Sequence, residues 1–259
     1  MAFSSKKTLM SLINAEVASL PPHEGFLKDL KMTVSKMNPV SAGSNYYKPS
    51  SMNCPRQMYF IRTKAPLDAR INDYSGIRIC ETGTDSHARI QSYVEAMREN
   101  GFDCDYVDVA EYVKSHHLDY LTIVNKSGHE TKLLDTRYNI SFLCDGIIKY
   151  KGFYYILEIK TEIDDQGLYR KDINPKHRKQ ITCYALSLGI NKIIMLYEER
   201  NFCTPKTFFV EITPEQVADM AMYLEDVEQH VKNLEPPDKP QTTSCCTYCN
   251  YRTECNKWK

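Results

Sequence analysis

Two spacings of apolar residues alternate along the chain, one helical and one extended. Residues 1–40 carry the helical spacing twice, interrupted at Pro21-Pro22. They predict two amphipathic helices, with Lys6, Lys7, Lys28, Lys31 and Lys36 on solvated faces. A loop rich in Ser, Gly and Asn follows over 41–53, then a short helix around Tyr59–Arg62 after Pro55. Thr84-Asp85-Ser86 offers N-cap oxygens for a helix reaching Glu99, with His87, Ile90, Gln91 and Val94 on one face. Alternation then takes over in Ile140–Tyr150 and Phe153–Glu162, separated by Lys151-Gly152, a tight-turn pair. A helix over Pro175–Leu188 ends at Gly189, and strands follow at Ile193–Glu198 and Thr207–Ile212. Thr213-Pro-Glu-Gln216 is a capping box with proline at the first helical position. The helix it opens buries Val217, Met220, Leu224, Val227 and Val231 and stops before Pro236-Pro237, where a Pro- and Thr-rich connection begins. The order is that of an α/β (α+β) core.

The hairpin carries the chemistry. A two-residue turn at Lys151-Gly152 pairs Tyr150 with Phe153, and the same register carried down the ladder sets Asp145 opposite Glu158. Because side chains alternate, Lys160 projects on the same side as Glu158. Two opposed carboxylates repel and weaken the hairpin unless something neutralises them, and a divalent cation does so with hard oxygen ligands. Lys160 beside them suits the positioning or deprotonation of a water, or the steadying of charge on a phosphate. The plainer alternative is a solvated hairpin face on which Lys160 pairs with Glu158. The apolar flanks Phe142-Leu-Cys144 and Ile156-Leu-Glu-Ile159 favour burial of these charges.

Composition bounds the possibilities. At 259 residues, 42% apolar and 25% charged, the chain has material for a real core and is not a disordered polymer. No stretch approaches the roughly 18 apolar residues that span a bilayer. Met1-Ala-Phe-Ser-Ser-Lys-Lys turns polar too early for a secretory signal, so a soluble intracellular protein is expected, without a membrane partner. With 33 basic and 33 acidic residues, only local patches can attract a polyanion. One such patch, Tyr169-Arg-Lys-Asp-Ile-Asn-Pro-Lys-His-Arg-Lys179, carries Arg170, Lys171, Lys176, Arg178 and Lys179 beside the hairpin's chemistry. It is expected to meet phosphate backbone, with Tyr46, Tyr47 and Tyr169 available to stack on unpaired bases. Of ten cysteines, four crowd into Cys245-Cys246-x2-Cys249-x5-Cys255, a spacing that suits metal ligation in a reducing compartment.

Asp145 followed after a hairpin by Glu158-Ile-Lys160 resembles the core of the PD-(D/E)XK nuclease superfamily. His87, in Gly83-Thr-Asp-Ser-His87-Ala-Arg-Ile-Gln91, and Gln180-Ile-Thr-Cys-Tyr184 resemble the histidine and Q-x-x-x-Y motifs of its RecB-like branch. Cys54, in Ser51-Met-Asn-Cys54-Pro-Arg-Gln-Met-Tyr59, together with Cys246, Cys249 and Cys255 resembles the split four-cysteine set of Cas4-like and AddB-type nucleases. The five motifs stand in order over residues 51–255. Two departures are visible: Cys144 replaces the motif's proline, and Cys245 adds a fifth thiol.

The resemblance implies a restriction-endonuclease-like core, a central mixed sheet flanked by helices, with a C-terminus pinned by a metal cluster. It implies an N-terminal helical segment over 1–50 and a nuclease domain over 51–259. His87, Asp145, Glu158 and the Ile159 backbone carbonyl would hold Mg²⁺ or Mn²⁺. Lys160 would help activate water, Gln180 would orient Lys160 or the water, and Tyr184 would support the scissile strand. Cys54, Cys246, Cys249 and Cys255 would hold a [4Fe–4S] cluster, with Zn²⁺ an open alternative. Tying both ends of the chain together makes a structural staple its default role. The implied activity is a metal-dependent deoxyribonuclease, a single-strand- or end-preferring exonuclease of recombination, repair or genome processing. A structure-specific endonuclease and a non-catalytic DNA-binding module on the same scaffold remain the alternatives.

Overall fold

The computed structural model describes residues 21–39, 44–68, 73–127, 130–163, 170–240, 245–247 and 249–258. The first expected helix with Lys6 and Lys7, the loop positions 40–43, Tyr169 and residues 241–244 lie outside them. In chain order the elements are α1 (Pro22–Met37), a single 3-10 turn (Pro49–Ser51), α2 (Pro55–Arg62), α3 (Tyr74–Glu95), β1 (Cys104–Tyr106), α4 (Val109–Ser115), β2 (Leu121–Ser127), β3 (Glu130–Asp135), β4 (Ile140–Cys144), β5 (Gly146–Tyr150), β6 (Phe153–Glu162), α5 (Pro175–Leu188), β7 (Lys192–Glu199), β8 (Thr204–Glu211), α6 (Pro214–Asn233) and α7 (Arg252–Asn256). Residues 1–42 with 69–82 form one compact unit, and 43–68 with 83–259 form the other. In the first, α1 opens with proline at its first turn and buries none of its residues.

The second unit is built on a five-stranded sheet of order β1-β5-β6-β7-β8, antiparallel except where β6 runs parallel to β7. That parallel pair needs a crossover, and α5 supplies it. Alternation along β6 sends Ile156 to one face, where Ile147, Ile193 and Met195 join Ile181, Leu188, Met220 and Leu224 of α5 and α6. Leu157 and Ile159 go to the other, packed with Ile148 and with Ile90 of α3. Each of these buried aliphatic side chains stabilises the fold by about 1.5–3 kcal/mol. The mixed sheet flanked by helices is thus the architecture expected. The helix ends follow their chemistry. Asn174 accepts from the Lys176 N–H, Gly189 takes φ 69°, and Thr213 and Gln216 close their capping box.

The hairpin register is as the turn predicts, from Tyr150–Phe153 to Gly146–Leu157, with Lys151 at φ 49° and Gly152 at φ 81°. Positive φ at both central residues is the turn whose twist matches paired strands. The expected strand Ile140–Tyr150, however, is two strands. β4 pairs with β3 in a separate antiparallel sheet of order β2-β3-β4, β5 pairs with β6, and Asp145 between them belongs to neither ladder. The alternation changes phase there, since Cys144 and Ile147, three residues apart, join the same core, but the apolar run itself is unbroken. The helix expected to start at Thr84-Asp85-Ser86 is already running from Tyr74, started by Asp73, whose carboxylate accepts the Gly76 N–H at 2.6 Å.

Gly146 is held to glycine by a close approach: a Cβ there would overlap the ring of Tyr106. Gly146→Ala is expected to cost about 1–3 kcal/mol by overpacking. At about 2–4 °C per kcal/mol, thermal melting should fall by several degrees and recover in part with Tyr106→Leu added. An unchanged melting temperature would contradict the close approach.

Candidate active site

Asp145 sits where two ladders end. One position beyond the Gly146–Leu157 pair lies Glu158, and one position beyond the Thr131–Cys144 pair lies Glu130, so the joint is flanked by a carboxylate from each sheet. Asp145 is 6% and Glu158 2% exposed. Burying carboxylates this close together requires partners for their oxygens. Asp145 Oδ2 accepts the Ile159 backbone N–H at 2.7 Å, which ties the joint to β6, and Oδ1 lies 3.1 Å from His87 Nδ1. One turn further along α3, Gln91 donates to the Asp145 carbonyl at 2.8 Å. The i,i+4 face of α3 therefore grips this residue by side chain and backbone.

Glu158 is held from its other side. Gln180 of α5 donates to Glu158 Oε1 at 2.6 Å, and Lys160 Nζ donates to the same oxygen. Gln180 also donates to the Tyr184 hydroxyl, which in turn donates to the Leu143 carbonyl at 3.1 Å. Gln180 thus orients Glu158, and Tyr184, buried, orients Gln180 and the end of β4. The remaining oxygen, Glu158 Oε2, is buried and accepts no hydrogen bond.

The charges respond to this crowding. Burial, then the charge of Asp145, pushes the Glu158 carboxyl up to about 7. Burial and Asp145 also raise Glu130. Burial works against the charged forms of His87 and Lys160, but the bond and charge of Asp145 raise His87, and those of Glu158 raise Lys160. As the groups stand, Lys160 is an ammonium, suited to orienting water and countering phosphate charge. A divalent cation fits this donor set: an orphaned buried carboxylate oxygen, a second carboxylate and an imidazole, all hard or borderline ligands. The ligand atoms of His87, Glu130 and Asp145 lie within 4.8 Å of one another.

The basic run is more engaged than its sequence implies. Arg170 pairs with Glu162 at 2.8 Å and Arg178 with Asp172 at 3.6 Å, while Lys171 and Lys176 are exposed. Lys179 turns inward, 4.4 Å from the centre of the Tyr223 ring and 3.4 Å from the Met52 carbonyl. Tyr47 is fully buried and donates to Glu228 at 2.7 Å, which removes it from base stacking; Tyr46 stays exposed. Two cations outside the run, Arg89 on Glu198 and Arg200 on Thr161, flank the same end of β6 and β7.

The sulfurs gather at the start of α2. Cys54 caps α2, taking the Gln57 N–H at 3.4 Å, and burial followed by the nearby Cys245 and Cys249 pushes its thiol up to about 12. Cys246 is flanked by Cys245, Cys249 and Cys255, so the fifth thiol lies inside the group. Cys249 Sγ takes the Tyr251 N–H at 3.5 Å, and the buried Arg56 guanidinium reaches Cys255 Sγ at 3.8 Å. Cys249 and Tyr251 pack with Tyr59, Phe60 and Ile61, while the Asp68 carboxylate accepts the Arg252 and Thr253 N–H groups. Among the described residues no three of these sulfurs lie within 4.8 Å of one another.

No family model matches the chain, and no curated protein is similar to it in sequence. Among solved structures it is similar to the crystal structure of SSO0001, with 16% identity, TM-score 0.46, and 89% of this chain and 96% of that one covered. It is also similar to LHK-Exo in complex with dAMP, at 11% identity and TM-score 0.44 over 74% of this chain and 93% of that one. A further structure, the alkaline exonuclease LHK-Exo from Laribacter hongkongensis, gives 9% identity and TM-score 0.42 over the same shares. Among the described residues, no helix is long and apolar enough to cross a membrane.

The site makes metal-free stability depend on pH. The folded pKa of Glu158 lies above the ordinary carboxylate value, so its stabilising protonation is complete below about 4.3 and lost as pH rises through about 7. Raised His87 and Glu130 act in the same direction. Melting of the EDTA-treated protein should therefore fall between pH 5 and pH 8, and Mn²⁺ should raise it more at pH 8. Equal effects of Mn²⁺ at both pH values would count against a cation on these carboxylates.

Proposed function

We propose that the chain is a divalent-metal-dependent deoxyribonuclease, hydrolysing phosphodiester bonds at single strands or ends, on the PD-(D/E)XK plan of the RecB-like, Cas4-like branch. The observation that carries this reading is the buried Asp145–Glu158 pair with Lys160 on the same face of β6 and an unpartnered Glu158 oxygen between them. His87, Asp145, Glu158 and the Ile159 carbonyl would hold Mg²⁺ or Mn²⁺. Bound there, the cation would supply Lewis-acid polarisation of the phosphate and a water acidified toward hydroxide. Lys160, an ammonium beside Glu158, would oppose the negative charge developing on the phosphate oxygens. Gln180 fixes Glu158, and Tyr184 fixes Gln180, so the carboxylate does not need to reorient as substrate arrives.

DNA would enter along the basic run. Lys171 and Lys176 offer free ammonium groups, and Arg170 and Arg178 reach phosphate by exchanging their carboxylate partners for it. Lys179, turned toward Met52, has the least direct part. Cys54, Cys246, Cys249 and Cys255 would hold a [4Fe–4S] cluster. Backbone N–H groups on Cys54 and Cys249 and the buried Arg56 beside Cys255 suit sulfurs that carry negative charge.

End-labelled single- and double-stranded DNA, with Mn²⁺, Mg²⁺ or EDTA, tests the reading. Cleavage should require metal and be lost in Asp145→Ala, and fall by at least about a hundredfold in Lys160→Ala. Full activity in Lys160→Ala would sink the mechanism. Cys249→Ala should lose iron, measured by metal analysis and visible absorbance, and melt at a lower temperature; iron content equal to wild type would remove the cluster from the proposal.

A further inference from the structure

We propose that Glu130 is a metal ligand, and that with His87 and Asp145 it forms a cation position distinct from the one shared by Asp145 and Glu158. No motif in the sequence points to Glu130; the fold does. β3 and β4 pair antiparallel with Thr131 opposite Cys144, and the next step along that ladder sets Glu130 against Asp145. The same aspartate is set against Glu158 one step beyond the end of the β5·β6 ladder. Asp145 is therefore the shared corner of two carboxylate pairs, one from each sheet.

The two sides of that corner differ in chemistry. On the first, the ligand atoms of His87, Glu130 and Asp145 converge within 4.8 Å, and Asp145 Oδ1 is the oxygen turned toward His87. An imidazole and two carboxylate oxygens converging this closely are a donor set that would suit one divalent cation. On the second, Glu158 Oε1 is taken up by Lys160 and Gln180, leaving Oε2, buried and without a hydrogen bond, to face a cation. Glu158 does not join the three convergent ligands. An ion held by the three convergent ligands leaves the buried Glu158 Oε2 outside its set. Two cation positions sharing Asp145 would use both groups of donors while Glu158 Oε1 keeps its Gln180 and Lys160 bonds.

The inference deepens the nuclease reading and rests on it for its catalytic meaning, but metal binding can be measured apart from cleavage. Mn²⁺ titration by calorimetry, with bound Mn²⁺ followed by electron paramagnetic resonance, should give two ions per wild-type chain and a dipolar-broadened signal. Glu130→Gln, nearly isosteric and free of the repulsion from Asp145, should melt no lower than wild type without metal, lose one ion or bind it at least tenfold more weakly, and lose the broadening. Glu130→Asp, keeping the charge, should recover part of it, and Glu158→Gln should remove the other ion. One ion in wild type, with affinity unchanged in Glu130→Gln, overturns the proposal; metal-dependent cleavage lost in Asp145→Ala would show that the nuclease reading survives it. Absence of Mn²⁺ binding to wild type together with absence of cleavage would overturn both.

Discussion

Three carboxylates meet at one joint of the backbone, and the rest of the structure is arranged around keeping them there. Two unit charges about 5 Å apart repel by roughly 3 kcal/mol at an effective dielectric constant of 20. Asp145 faces such a neighbour on each side, Glu130 from one sheet and Glu158 from the other. A fold does not hold this crowding without counter-charge and hydrogen bonds. Those available are specific: the Ile159 N–H, His87, Lys160 and Gln180, each from a different element or a different position on β6. What they leave uncompensated, above all Glu158 Oε2, is the part a cation would complete.

The architecture follows from this need. Helix α3 covers one face of the sheet with Ile90 and uses the same stripe to bring His87 and Gln91 to Asp145. Helix α5 covers the opposite face with Ile181 and Leu188 and brings Gln180 to Glu158. The apolar residues on each helix set its position, and that position aims the polar ones, so packing and site geometry are one problem. Gly146 belongs to the same solution. Its missing side chain lets Tyr106 pack against the strand beside Asp145, at the point where the chain leaves one sheet for the other.

Much of this was legible in the sequence because it depends on local rules. The Lys151-Gly152 turn sets the register, the register brings Asp145 and Glu158 together, and i,i+4 spacing puts Gln180 and Tyr184 on one face. What was not legible depends on contacts between distant segments. β1, β2 and β3 carry weak alternation, and Glu130 acquires meaning only when β3 lies beside β4. The unbroken apolar run of Ile140–Tyr150 concealed the change of sheet at Asp145. Thr84 looked like a helix start, since a cap residue inside a helix is chemically the same as one at its end. The basic run read as free charge, yet Arg170 and Arg178 have acidic partners and Lys179 points inward, choices fixed by Glu162, Asp172 and Tyr223 rather than by the run itself.

The inward turn of Lys179 also bears on how the two ends of the second unit communicate. Lys179 and Gln180 are consecutive on α5. Gln180 holds Glu158, while Lys179 reaches the Met52 carbonyl and the Tyr223 ring, and Tyr223 donates to that same carbonyl at 2.9 Å. Met52 lies two residues before Cys54, the cap of α2. A helix transmits displacement along its axis because its backbone hydrogen bonds leave little freedom for one residue to move without the next. The segment that carries Cys54 and the carboxylate that would bind metal are thus joined through two adjacent residues of one rigid element.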